Sequence, residues 1–158
     1  MAPVSRRGQI QMSDEEVAAF LEEHRVVVCA TNGSDGWPHL MPLWYLLRDG
    51  DLWSWTYAKS QKVRNLERDD RVTLAVETGH EYHELRGVMI RARCVVHREL
   101  EVVAGVGQDL AVRYGGADAA VGPDAREVFE RQAAKRVALH FVPESVATWD
   151  HRKLGGVY

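Results

Sequence analysis

At 158 residues, 46% hydrophobic and 27% charged, the chain has the length and composition of one soluble globular domain with its own core. A net charge of −3 excludes global attraction to nucleic acid and leaves only local clusters as anion sites. No apolar run approaches the roughly 18 residues that span a membrane, no apolar signal core follows the basic N-terminus, and Cys29 and Cys94 lie in apolar runs without zinc spacing. A cytoplasmic, reduced protein with no metal site is expected.

Residues 1–12 read as an irregular arm, and residues 13–158 as the folded domain. Ser13-Asp14-Glu15-Glu16 is a capping box, in which Ser13 accepts from the Glu16 amide and the Glu16 side chain reaches back. Val17, Phe20 and Leu21 follow at helical spacing, and this helix is expected to end near Glu23 or His24. Val26 to Thr31 is a β-branched strand, closed by the turn cluster Asn32 to Gly36. The pattern predicts a second strand from about Pro38 to Leu47, which the Asp49-Gly50-Asp51 turn returns as a third, Leu52 to Tyr57.

Ser60 is placed to cap a short helix with Val63 and Leu66 inward, closed by Asp69-Asp70. Val72, Leu74 and Val76 alternate in a strand over Arg71 to Glu77, which Gly79 breaks. A long strand is expected from about Tyr82 to His97, with Gly87 as a bulge or point of close approach. Its Val88, Ile90, Ala92 and Cys94 share one face, and Met89, Arg91, Arg93 and Val95 a second, solvated or interfacial one. Leu100 to Ala111 suggests a helix weakened by Gly105 and Gly107 and ended by Gly115-Gly116. Gly122-Pro123-Asp124 opens another, with Pro123 in its first turn and Val128 and Phe129 inward. The last strand runs from Arg136 to Thr148. Roughly six strands in meander order with a few short helices predict a mainly β, α+β fold: a six-stranded antiparallel barrel decorated by helices.

The stretch Trp37 to Leu74 carries the chemistry. Four of the five tryptophans (Trp37, Trp44, Trp53, Trp55) lie in it, immediately before or beside Lys59, Lys62 and Arg64. Flat apolar surface beside fixed positive charge at a helix start suits a planar ring carrying a phosphate. A solvated basic face and a set of core aromatics would give the same pattern. Trp53 and Trp55 share one strand face and Ser54 and Thr56 the other, so either the aromatics or the hydroxyls line a site, but not both.

The pattern Thr-x-x-x-x-Gly-x-Pro-x-x-x-Pro-Leu-Trp-Tyr (Thr31 to Tyr45), followed by Lys-x-x-Lys-x-x-Asn-Leu-x-Arg-Asp-x-Arg-Val-Thr-Leu (Lys59 to Leu74), resembles the pyridoxamine 5′-phosphate oxidase-like split β-barrel superfamily. The opening Arg7 to Glu16 and the closing Trp149 to Leu154 resemble its deazaflavin-utilising branch. The resemblance implies a six-stranded split barrel, a homodimer and cofactor sites at the subunit interface. It implies that Lys59 and Lys62 take the phosphate, that Pro42, Leu43 and Trp44 lie along the ring, and that Ser54, Trp55 and Thr56 sit below it. Asn65 would orient the helix start, and Trp149 and Lys153 would reach the partner's site. The implied cofactor is coenzyme F-420, with FMN as the alternative, and the implied reaction is hydride transfer to an unsaturated small molecule. Arg6, Arg7, Arg64 and Arg68 are candidates for the coenzyme's polyglutamate tail. The ending Arg-Lys-Leu-Gly-Gly-Val-Tyr does not match that of pyridoxamine phosphate oxidase proper, so vitamin B6 oxidation is not expected.

No obligate catalytic residue is visible. His39, His83, His140 and His151 titrate near working pH, and Tyr45 and Tyr57 are proton-donor candidates. A carrier without turnover, and a haem protein using His24, His97 or His140, are the readings from other classes.

Overall fold

Alternation of β-branched and small residues builds the sheet. In the computed structural model, which describes residues 5–156, seven strands pair antiparallel: β1 (Val26–Asn32), β2 (Pro38–Trp44), β3 (Leu46–Arg48), β4 (Asp51–Tyr57), β5 (Arg71–Thr78), β6 (Arg86–His97) and β7 (Arg136–Asp150). Five α-helices accompany them: α1 (Arg6–Gln9), α2 (Asp14–Glu23), α3 (Gln61–Arg68), α4 (Leu100–Gly115) and α5 (Ala125–Ala133).

The strand order is β2-β1-β5-β6-β7-β4-β3. β2 and β3 are therefore the two edges, yet only Tyr45 separates them along the chain. Consecutive Cα atoms lie about 3.8 Å apart, so the sheet must curl until its edges meet. The result is a barrel split at Tyr45, with β2 also touching β4 across the gap. The single strand expected over Pro38 to Leu47 is thus two, and the count is seven instead of six. Tyr45 is fully buried and its hydroxyl donates to the Leu21 carbonyl at 2.6 Å.

One cluster fills the barrel. Val27, Leu74, Val88, Leu139 and Phe141 point inward from the strands, Phe20 and Leu21 come from α2, and Val63 and Leu66 come from α3. Each such side chain stabilises the fold by roughly 1.5–3 kcal/mol on burial. A second cluster lies outside the wall, where Val103, Val106 and Leu110 of α4 cover Ala138 and the half-buried Trp53 and Trp55. Gly107 permits this approach, because a Cβ there would stand 2.3 Å from the Trp55 ring. On the outer face of β1, β5 and β6, Val28, Ala75 and Met89 are half-buried.

The capping box forms as read: the Glu16 amide donates to Ser13 Oγ at 3.2 Å and the Ser13 amide to Glu16 Oε2 at 2.7 Å. Ser60 occupies the N-cap position of α3, but its hydroxyl makes no cap hydrogen bond. Gly87 is a point of close approach, lying under the Trp149 ring, while the bulge falls opposite Arg91 and Ala92, where β7 carries Glu144 as an extra residue. A 3-10 turn, Tyr82–Glu84, replaces the expected start of the long strand. Gly105 and Gly107 do not interrupt α4. Pro123 precedes α5 instead of entering its first turn, and Val128, expected inward, is exposed. The last strand continues to Asp150, and the N-terminal arm includes α1. No helix among the described residues is long and apolar enough to cross a membrane.

Candidate functional site

The inner face of β4 presents Ser54 and Thr56, both buried. Ser54 Oγ donates to the Trp44 carbonyl at 2.7 Å and so ties β4 to β2 across the split. Thr56 Oγ1 accepts from Lys62 Nζ at 2.9 Å. Lys62 lies in the first turn of α3, on the side that Val63 and Leu66 anchor to the core, and is only 7% exposed.

Among the described residues Lys62 has no carboxylate partner. The charge-relevant neighbour is the Cys29 thiol, itself pushed up to about 12 by burial. Burial lowers the Lys62 pKa, since desolvation penalises the ammonium and no anion offsets it. Two further polar atoms here are buried without a partner, Ser60 Oγ at the start of α3 and His39 Nδ1 on β2. An unpaired ammonium and an orphan hydroxyl at a helix N-terminus fit an anionic oxygen group.

Asn65 holds α3 in place. Fully buried, it donates to Thr31 Oγ1 at 3.0 Å and accepts from Gln61 Nε2 at 2.9 Å. It thus ties the first residue of α3 to β1. Beside it, a cavity of about 320 Å³ opens between the β1–β2 hairpin and α3, lined by Trp37, Pro38, His39, Gln61 and Asn65 among others.

Lys59, the other lysine expected at the phosphate, is exposed. An exposed contact is screened by water and salt, so Lys59→Ala is expected to weaken affinity for a phosphate-bearing ligand less than about three-fold. A titration showing a loss as large as for a Lys62 variant would reverse this ranking.

β2 splits its residues between two faces. Leu43 packs inward on the core, whereas Leu40, Pro42 and Trp44 are exposed. The Trp44 indole is stacked on Tyr114 of α4, with centroids 4.1 Å apart and planes within 6°. No local sequence signal marks Tyr114, which meets Tyr45 from sixty-nine residues away.

Within one chain, Trp55, Trp149 and Lys153 make contacts away from Lys62. Trp55 lies on the opposite face of β4 from Ser54 and Thr56, between Gly107 and the Arg136 guanidinium, so it does not sit below a ring beside those hydroxyls. Trp149 covers Gly87. Lys153 donates to Glu16 at 2.6 Å and to the Gln11 carbonyl at 2.8 Å. These contacts hold the C-terminal segment against the α2 arm within one chain.

The histidines are also distributed. His140 Nε2 lies 2.8 Å from Asp51 and stacks on Trp53, as does His97, while His24 bonds the Phe20 carbonyl at the end of α2. Of the three haem-ligand candidates, His97 and His140 are therefore neighbours, with ring centroids 6.2 Å apart, and both are engaged with Trp53, whereas His24 is tied to α2. His151 meets the Tyr82 carbonyl. Tyr45 is committed to Leu21, and Arg136 covers the Tyr57 ring. Of the proton-donor candidates, only His39 lines the cavity beside α3.

A sequence model of pyridoxamine 5′-phosphate oxidase matches residues 13–150. The chain belongs to that family. A conserved hypothetical protein of Mycobacterium tuberculosis is 38% identical, with 98% of this chain and 94% of that one covered at a TM-score of 0.88. An F-420 reductase shares the fold at 22% identity, covering 81% and 93% of the two chains with a TM-score of 0.62. A FAD-binding protein of Mesorhizobium loti does so at 19% identity, 87% and 94% coverage and a TM-score of 0.64. No curated protein matches the sequence significantly. Of the residues expected at a site, Ser54, Thr56 and Lys62 lie together on the inner side of β4 and α3, and Pro42 and Trp44 lie on the exposed face of β2.

Proposed function

We propose that this protein binds a deazaflavin, coenzyme F-420, and uses it to reduce an unsaturated small molecule. The observation that carries the reading is Lys62: a buried ammonium with no carboxylate, at the start of a helix, in a family that includes flavin-type folds. Lys62 and Ser60 hold the phosphate, and Thr56 orients the Lys62 ammonium. Pro42 and Trp44 lie along the ring, and the curled wall excludes water from its inner side. When bound, the coenzyme supplies a hydride from ring carbon five, and the protein supplies binding and orientation. The F-420 reductase among the structural neighbours supports this choice of coenzyme. FMN shares the ring, ribityl chain and first phosphate, so the same lysine fits it.

A second copy of the chain completes the site in this reading. In register across the outer wall lie Pro42, Val28, Ala75, Met89 and Ala147, a row of small and apolar side chains that are half-buried or exposed. This row is continuous with the exposed face of β2, so a homodimer built on it brings a partner's surface to the ring. Two buried free thiols, Cys29 and Cys94, suit a cytoplasmic setting.

The test is side-by-side titration of the apo-protein with FMN and with the deazaflavin coenzyme, read by tryptophan fluorescence. Tighter binding of the deazaflavin supports the reductase. Tighter binding of FMN moves the activity to a flavin oxidoreductase, and binding without turnover of any screened acceptor makes the protein a carrier. Binding of neither removes the cofactor reading.

A further inference from the structure

The last turn of α4 does more than fill space. Arg113 donates to the Leu21, Glu22 and His24 carbonyls at 3.0–3.2 Å and so caps the end of α2. The next residue, Tyr114, reaches the split in the barrel. Its hydroxyl accepts from the Tyr45 amide at 3.0 Å, and the carbonyls of Arg25 and Tyr45 lie within its donating reach. These are backbone groups at the break where the chain leaves β2 for β3. Burial keeps the hydroxyl protonated by raising its pKa, so it remains a donor at working pH.

The Tyr114 ring is itself layered. The Arg25 guanidinium stands 5.4 Å from its centroid, and its parallel contact with Trp44 is described above. Trp44 is nevertheless 59% exposed. With one indole face covered by Tyr114, the open area is the opposite face and the ring edge. The chain thus holds a flat indole against Tyr114 with its other side open, on an edge strand of the sheet.

We infer that Tyr114 is a positioning residue, which holds Trp44 as a one-sided aromatic platform for a planar ring. The ring's identity as a flavin or deazaflavin rests on the function proposed above, whereas the holding of Trp44 does not. Tyr114 acts by two separable devices. Its ring fixes the Trp44 tilt, and its hydroxyl closes the backbone break at Tyr45.

The experiment uses full-length protein labelled with 5-fluorotryptophan, with the Trp44 fluorine resonance assigned by Trp44→Phe. Tyr114→Phe keeps the stack and loses the hydroxyl, and Tyr114→Leu loses both. Tyr114→Leu is expected to move the Trp44 resonance more than any other and to weaken FMN or deazaflavin binding roughly two- to ten-fold. Tyr114→Phe is expected to keep that resonance and affinity while lowering the melting temperature. The inference is overturned if Tyr114→Leu leaves the Trp44 resonance in place. It is equally overturned if both variants lose affinity alike, in step with their melting temperatures, since the role is then only structural. If the parent binds neither ring, the cofactor reading fails, and the ligand-free Trp44 shift in Tyr114→Leu still decides whether Tyr114 holds the indole.

Discussion

Replacing Lys62 by methionine is expected to destroy most of the flavin affinity and, in the same variant, to raise the stability of the ligand-free protein. The two effects share one cause. The Lys62 ammonium is buried with a single described hydrogen bond, to Thr56, and no counter-charge. In the apo-protein its desolvation goes unrepaid, and methionine fills the same channel without that cost. The variant leaves Thr56 without its donor, which takes back about 1 kcal/mol, so the net gain is modest, on the order of 2–4 °C in melting temperature. With a phosphate bound, the balance inverts. A charge-assisted contact is worth about 1.5–3 kcal/mol, or roughly ten- to a hundred-fold in affinity.

The pH dependence has a fixed sign. Burial lowers the Lys62 pKa below its ordinary 10.5, so between the two values the unfolded chain holds the extra proton. Stability of the parent therefore rises as pH climbs through that window, and its cost is fully present below it. Lys62→Met lacks this rise, and its advantage shrinks toward high pH. Thermal unfolding at neutral and alkaline pH, beside an FMN titration, checks both halves. A variant that melts lower than the parent and binds FMN equally well would show that Lys62 is an ordinary structural lysine.

What the sequence disclosed follows the range of the interactions involved. The Ser13–Glu16 capping box lies within one helical turn, and it forms as read. The faces of β6 follow from a period of two residues, with Val88, Ile90, Ala92 and Cys94 buried and Arg91, Arg93 and Val95 exposed. The break at Tyr45 has no such local cause. It arises because a seven-stranded sheet closes on itself, bringing together edges that sequence alone reads as one strand.

Period two also separated Trp55 from Ser54 and Thr56 without saying which set faces inward. That choice is made by α4, whose Gly107 admits the indole. For Lys62 a signal was present: it stands four residues before Leu66, and such pairs share a helix face. The same spacing links Lys59 to Val63, but Lys59 precedes the Ser60 N-cap and so lies outside the helix, and only Lys62 is buried. Tyr114 lies beyond any local rule, since its partners Trp44, Tyr45 and Arg25 are remote in the chain.

The two glycines of α4 should respond to the same substitution with opposite signs. Glycine in a helix interior costs about 0.5–1 kcal/mol relative to alanine. At Gly105 the nearest atom to an added Cβ is the Arg48 guanidinium nitrogen at 3.7 Å, an ordinary contact. Gly105→Ala therefore collects the helix gain and is expected to raise the melting temperature by about 1–4 °C. At Gly107 the added Cβ meets three Trp55 ring atoms at 2.3–2.8 Å. The indole cannot swing clear, because β4 lies behind it and Arg136 covers it at 4.6 Å. Overpacking of this kind costs about 1–3 kcal/mol, which outweighs the helix gain, and Gly107→Val adds bulk and a β-branch to the same clash. Melting curves of Gly105→Ala, Gly107→Ala and Gly107→Val should thus fall in that order. If Gly107→Ala proved as stable as Gly105→Ala, α4 would not be seated on Trp55. The indole would then be free to serve the cofactor side of β4, as its sequence neighbourhood first suggested.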